Sequence, residues 1–202
     1  MMLGARTGAW AKNGAPLPYD AEVEYLESTG TQWIDTEIIA TENTRAKATL
    51  MTLSTGNNNW FGGQVLPVNN GFVFNSYSVD KLEYCFGSGG WVRVGVPNIL
   101  GRIFTVDFGK DGLVIDGNTV SIPSFKTFHE QSAPIAIFVR IGGVAFIKGR
   151  LYAFQIYQSG VLVRDFIPVR VGTVGYLYDR VSGQLFRNAG TGAFIIGPDK
   201  TI

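Results

Sequence analysis

GRLYAFQIYQSGVLVRDFIPVRVGTVGYLYDRVSGQLFRNAGTGAFIIG, residues 149–197, alternates short apolar runs with turn signals at Ser159 and Gly160 and again at Ser182 and Gly183. Glycine-rich breaks follow at Gly190 and Gly192. Strands this short, turning this often, belong to an antiparallel β-sandwich or barrel. The stretch sets the fold class as all-β before any site is considered.

The rest of the chain agrees. Residues 20–25 alternate, and residues 45–53 place Ala46, Ala48, Leu50 and Thr52 on one face. Residues 72–77 and 81–86 are strand candidates. Residues 103–108, 113–115 and 119–122 are separated by Asp111-Gly112 and Asp116-Gly117, which reads as a three-stranded meander. Residues 135–141 and 144–147 flank Gly142-Gly143 and read as a hairpin. No window holds a helical period, and no internal repeat is visible.

A length of 202 residues suits one sandwich domain, since all-β domains of this size commonly stay undivided. Hydrophobic residues make up 46%, enough for a core and too many for disorder. The 14 Phe, 8 Tyr and 4 Trp favour strands. A net charge of +1 argues against nucleic acid as a partner, which calls for a concentrated basic face. No run approaches the ~18 apolar residues of a membrane span. Cys85 is the only cysteine, so no intrachain disulfide forms, and it reads as a small buried apolar residue.

Residues 1–19 read as an extended N-terminal arm and residues 20–202 as the domain. The arm carries Gly4, Gly8, Gly14, Pro16 and Pro18, and it has apolar anchors in Met1, Met2, Leu3 and Trp10. Met1, Leu3 and Trp10 suit docking, either on the arm's own domain or on a protein partner such as another subunit or a virion scaffold. The opening residues lack the ~7–15-residue apolar core of a signal peptide. Synthesis in the cytoplasm without an export leader is expected, with the virion or a cell surface as destination.

Catalytic and metal signatures are weak. Zinc needs three or four His or Cys ligands, and His129 and Cys85 are the whole supply. His129 has no G-x-S-x-G partner element. No phosphate-binding glycine motif occurs. Sugar binding fits better, because sugars are held by aromatic faces ringed by amides and charged hydrogen-bonding groups. Asn57, Asn58, Asn59 and Trp60 supply that mixture, as do Trp91 with Arg93, and Tyr77. The competing reading places Trp60 and Trp91 at strand starts facing the core. Charge adds a clue: residues 20–42 hold seven acids and no base, whereas residues 140–187 hold seven bases and two acids. Early strands that pair with late ones would set these opposite each other; complementary subunit surfaces are the alternative.

VEYLESTGTQWIDTEI (residues 23–38) and the segment at residues 151–194 resemble the opening and closing signatures of a LamG/pentraxin-like group within the concanavalin A-like lectin/glucanase superfamily, found in gut bacterial and phage proteins. The resemblance implies a jelly-roll sandwich. It also implies a non-catalytic lectin-like adhesion module that recognises host glycans, as a homo-oligomer or on a virion or cell surface. A purely structural virion protein that binds only protein is the alternative. No cofactor is expected, although the superfamily leaves room for a weak calcium site in an oxygen-rich loop. Glucanases of the superfamily place carboxylates at i, i+2 and i+4 on one strand. Asp20, Glu22 and Glu24 have that spacing, but the order of acids differs from the family pattern and they lie at the domain's first strand rather than mid-domain, where they need only be a solvated face. In the closing signature, Gly190 and Gly192 read as positive-φ turn positions, and Asp179 and Asn188 as turn caps. Val161, Val163 and Phe166 read as a packed face, with Arg164 and Asp165 outside it.

Overall fold

The computed structural model describes residues 16–56, 58–65, 70–122, 127–129, 131–140 and 145–201. Among them every regular element is a strand. In chain order these are β1 (Ala21–Glu22), β2 (Leu26–Thr29), β3 (Ile34–Ile39), β4 (Thr44–Thr52), β5 (Asn58–Val65) and β6 (Asn70–Ser78). Next come β7 (Lys81–Gly87), β8 (Trp91–Gly95), β9 (Ile103–Gly109), β10 (Gly112–Ile115), β11 (Asn118–Ser121) and β12 (Pro134–Ile137). The chain closes with β13 (Lys148–Gln158), β14 (Val161–Val171), β15 (Val174–Asp179), β16 (Gln184–Phe186) and β17 (Ile195–Ile196).

Two antiparallel sheets stack into a jelly-roll sandwich. The larger has eleven strands along the path β11-β10-β9-β4-β13-β14-β15-β16, with β1 on β14 and β2 between β13 and β17. The smaller runs β3-β12-β5-β6-β7-β8. The meander of β9, β10 and β11 forms as its Asp-Gly turns predict. Of the expected hairpin after it, the turn lies outside the described residues, while Ile147 N donates to Phe138 O at 3.0 Å between its two arms. Residues 134–137 form a strand between β3 and β5. Periodicity marks a strand but says nothing of its partner. Residues 1–15, with Met1, Leu3 and Trp10, also lie outside the described residues.

The core is aromatic. Phe61 of the small sheet meets Phe154 of the large one at 5.1 Å, and Phe72 meets Phe108 at 4.9 Å. Trp60 is the largest buried side chain, and a register shift between Asn59 and Phe61 lets both Trp60 and Phe61 turn inward. Its indole lies against Gly149 of β13, where a Cβ would come within 2.4 Å of the ring. Its Nε1 donates to Ser76 Oγ at 3.0 Å and Thr52 Oγ1 at 3.2 Å, so the one polar atom of the ring stays satisfied.

A second inter-sheet tie was not legible in the sequence. Arg164 shares the inward face of Phe166, two residues on, against the expected outward placement; a register shift follows between Ile156 and Tyr157, and Val161 is exposed. Arg164 lies 5.3 Å from the Phe186 ring, donates to Thr36 O across the sandwich at 3.1 Å, and approaches Asp179 at 3.6 Å. A smaller cluster sits on the outer face of β14 and β15, where Tyr19 packs edge-on to Tyr178 at 4.9 Å, with Ile167 and Val169 beside it. Leu17 and Tyr19, read as part of the arm, therefore pack on the domain itself.

The early acidic stretch meets the late basic one across strands. Glu27 pairs with Arg150 at 2.6 Å, directly opposite in the β2–β13 register, and Glu37 reaches Arg164 at 3.8 Å.

Two outcomes are expected. Gly149→Ala should destabilise the fold by about 1–3 kcal/mol through overpacking, and Trp60→Ala by about 3–5 kcal/mol. Denaturant titration followed by intrinsic fluorescence measures both, and an unchanged midpoint for Gly149→Ala would refute the contact. Burial pushes the Cys85 thiol from its ordinary 9.0 up to about 11. Because the folded value is the higher one, the stabilisation is whole below pH 9.0 and is lost as pH rises towards about 11. Cys85→Ala should flatten that part of the alkaline stability curve, and native Cys85 should resist thiol reagents at neutral pH.

Candidate functional site

The outer face of the large sheet carries a polar row set by register. Asp107 of β9 sits opposite Lys47 of β4, Lys47 opposite Gln155 of β13, and Gln155 opposite Asp165 of β14. Apolar neighbours at Ala46, Ala48, Val106, Phe154 and Ile156 face the core, so alternation sends the polar set outward. Arg45 grips both oxygens of Asp107, with Nη2 to Oδ2 at 2.6 Å, and Lys47 Nζ lies 3.4 Å from the same Oδ2. The hydrogen bond to Asp107 holds the Arg45 guanidinium above its usual range. Tyr157 donates its hydroxyl to Gln155 at 3.1 Å, and Gln155 donates its amide to Asp165 at 3.0 Å. Arg180 closes the row on Asp165 at 2.7 Å.

This face is concave. A trough of about 660 Å³ is lined by Arg45, Lys47, Asp107, Lys110, Asp111 and Tyr157, with the turn at Ser159 and Gly160 as one rim. A second depression of about 310 Å³ continues it past Thr49, Thr105, Ala153 and Gln155, sharing Lys47, Asp107 and Val114 with the first. The lining mixes guanidinium, ammonium, carboxylate, amide, hydroxyl and one aromatic ring. Nothing in the sequence pointed here, because the Arg45 and Lys47 pair, Asp107 and Tyr157 are far apart in the chain and only the strand register brings them together.

The sugar-binding candidates read from the sequence fall elsewhere, on the small sheet. Trp60 is fully buried and offers no face to a ligand; this corrects its assignment, and the cause is the register shift that turns it into the core. Asn57 lies outside the described residues. Asn58 donates to Ser54 Oγ at 3.3 Å. Asn59 is buried and donates to Ala145 O at 3.1 Å, and its Oδ1 finds no hydrogen-bond partner among the described residues. Tyr77, Trp91 and Arg93 do share the outer face of the small sheet. There Arg93 stacks 3.8 Å from the Tyr77 ring centre while pairing with buried Glu83 at 2.8 Å, and Arg140 lies 5.7 Å from the Trp91 ring. Arg93 thus covers one side of the Tyr77 ring, while Arg140 is no nearer to Trp91 than Lys47 is to Tyr157, 5.7 Å in both cases.

The carboxylates at residues 20, 22 and 24 build no acid pair. Asp20 accepts the Gly172 amide, Glu22 meets Tyr19 and Lys200, and Glu24 is exposed. None of the three lines the trough. Calcium calls for six to eight oxygen ligands, several of them carboxylates. Among the described residues no three of His, Cys, Asp and Glu gather to hold a metal ion, so those residues build no carboxylate-rich calcium site. The described residues also hold no helix long and apolar enough to cross a membrane.

The closing signature serves the fold. Asp179 is wholly buried and accepts from the amides of Asp165, Val181 and Ser182 and from the Ser182 hydroxyl. Asn188 accepts from the Trp33 and Gly190 amides and donates to Gly192 O. Gly192 has the expected positive φ of 71°. Gly190 does not need one; it is glycine because a Cβ would come within 2.0 Å of Thr31 O.

No protein-family model matches the chain, and no curated protein sequence does. Among solved structures the chain is similar to a native heptameric SAP-like pentraxin from Limulus polyphemus. The two are 13% identical over 95% of this chain and 93% of that one, with a TM-score of 0.49. That similarity gives no residue a role, and the chemistry of the trough rests on this chain's own side chains.

The two carboxylates should separate cleanly on mutation. Asp107→Ala removes a half-exposed ion pair and should lower stability by at most about 1 kcal/mol. Asp179→Ala leaves several buried donors and a guanidinium unmatched and should cost about 3–5 kcal/mol. Thermal melts of the two variants decide it, and equal losses would show that the trough is a structural feature.

Proposed function

We propose that this protein is a non-catalytic, lectin-like binding module of the LamG/pentraxin-like kind, and that its ligand is a carbohydrate seated in the trough across the large sheet. The observation that carries this reading is the trough itself: a preformed concavity whose floor presents hydrogen-bonding groups already held in place by one another. Sugars are recognised by such convergent polar groups beside an aromatic face, and preorganisation lowers the ordering cost of binding. Tyr157 supplies the ring, steadied by its bond to Gln155. The Tyr77, Trp91 and Arg93 patch on the small sheet is a lesser candidate for the same ligand, since Arg93 is already stacked on Tyr77 and paired with Glu83.

In this reading the module acts by adhesion, attaching a virion or a cell surface to host glycans, with Met1, Leu3 and Trp10 engaging a protein partner and further copies adding avidity. One observation favours the purely structural alternative. Backbone bonds from Ile99 to Val79 and from Gly101 to Thr52 gather Leu53, Val79, Leu100 and Ile103 at one end of the sandwich, each exposed. Such an apolar cluster suits contact between protein subunits.

A glycan array probed with the full chain tests the proposal, with Tyr157→Ala and Trp91→Ala as variants. Binding abolished by Tyr157→Ala and kept by Trp91→Ala is the expected result. Loss only with Trp91→Ala would move the site to the small sheet. A blank array from folded protein would overturn the carbohydrate reading and leave the assembly role.

A further inference from the structure

We infer that the protein partner of the arm is a second copy of this chain, and that Trp10 of one copy seats on the apolar outer face of β14 and β15 in a neighbouring copy. The inference rests on the reading above that the arm engages a protein, and it names that protein.

The solvent side of an antiparallel sheet is ordinarily polar. Here three successive cross-strand pairs on that side are apolar: Ile167 with Tyr178, Val169 with Tyr176, and Val171 with Val174. Alternation sends all six outward, because Phe166 and Leu177 between them belong to the core. An apolar strip in this position marks a contact surface. Leu17 and Tyr19 show what it contacts. This start of the arm packs on Ile167 and Val169, with Tyr19 edge-on to Tyr178 at 4.9 Å. The third pair is left bare, with Val171 36% and Val174 50% exposed.

The chain's own arm leads away from that bare pair. Asp20 lies at the hairpin end of the face, where its amide donates to Arg170 O at 2.9 Å and its carboxylate accepts from the Gly172 amide at 2.7 Å. Tyr19, one residue earlier, already reaches Tyr178 at the opposite end. Pro18 keeps Leu17 in extended backbone, so the path runs on past Tyr178 instead of doubling back to Val174. The seat at Val171 and Val174 is therefore open to the arm of another copy. Trp10 suits it, as a flat ring that buries a large apolar area while its nitrogen stays at the wet edge. It stands seven residues before Leu17, a reach of up to roughly 23 Å at ~3.3 Å per residue. A face already shaped for apolar residues of this arm takes the same arm from a neighbour without any new surface, which is how exchange between like copies arises.

Sedimentation velocity of the full chain over a range of concentrations tests this, with Trp10→Ala and Val174→Asp as variants and thermal melts to show that each is folded. Association is expected, and each variant should weaken it about tenfold or more, as loss of a buried tryptophan anchor does. Ile122→Asp, at an exposed apolar residue just past β11 on the other edge of the large sheet, should change nothing. A chain that is monomeric at every concentration, or association indifferent to Trp10→Ala and Val174→Asp, would overturn the inference and leave a different protein as the arm's partner. A second readout separates the copies. Isotope-labelled chain is mixed with unlabelled chain carrying a nitroxide on Ala11→Cys, while Cys85 is buried and stays unlabelled. Broadened Val171 and Val174 amide signals from the isotope-labelled copy are the expected result. Broadening only when nitroxide and isotope share one chain would seat the arm on its own domain, which overturns the inference and the arm-partner reading together. The glycan array probes the trough independently, so a blank there leaves this test standing.

Discussion

The sandwich hangs on the contact between the Trp60 indole and the backbone of Gly149. Trp60 belongs to the small sheet and Gly149 to a central strand of the large one, so the pair sets how closely the two layers approach. The indole nitrogen then fixes orientation by reaching one hydroxyl from each sheet, Ser76 and Thr52. A ring this large fits between two sheets only where the opposite strand has no side chain. The phenylalanines around it, Phe61, Phe72, Phe108 and Phe154, pack at the spacing that Trp60 allows. Arg164 ties the other side of the sandwich, and it does so with a partly buried cation that the Phe186 ring, Thr36 and Asp179 together make tolerable.

With the layers fixed, the two outer faces diverge. The small sheet buries most of its outer side: Val73, Cys85 and Ala136 are fully covered, and Asn59 and Glu83 nearly so. Its polar groups are spent on one another and on the chain's own loops, as the pairing of Glu83 with Arg93 and the bond of Asn59 to Ala145 illustrate. The large sheet leaves its centre open, and there the outward side chains of four strands line a trough. A ligand competing for the small sheet must displace internal partners. One entering the trough displaces mainly water.

The fold was legible because its signals are local. Alternation in residues 45–53, the Asp-Gly turns of the meander and the Ser-Gly turns of the last third each act within a few residues, and each appears as an element. What local signals miss is partnership and register. The strand at residues 134–137 was visible, but its insertion between β3 and β5 was not. Register shifts were invisible as well, and one of them turned the site candidate Trp60 inward. Trp60 shows the hazard of reading a tryptophan beside asparagines as a sugar site, since the same residues serve equally well at the start of a buried strand. The trough was the least legible part. Arg45 and Lys47 read only as the polar face of one strand until Asp107, Gln155 and Tyr157 were set beside them.

Asp179 and Asp107 show how the same side chain does opposite work in this fold. Asp179 is sealed from water and surrounded by amide donors, a hydroxyl and a guanidinium, so its charge is matched and its removal is felt throughout the turn it caps. Asp107 is partly buried at the floor of an open trough, with two cations sharing it. Exposed pairs of this kind contribute little to stability, because water and salt screen them and ordering long side chains opposes them. Folding alone therefore gives little reason to gather Arg45, Lys47, Lys110 and Tyr157 around one acid on an open sheet. What the arrangement does supply is a set of groups held in position before a ligand arrives, one acid orienting both Arg45 and Lys47. That separation, with stability drawn from the buried carboxylate and readiness from the exposed one, is the physical reason to look for function on the large sheet.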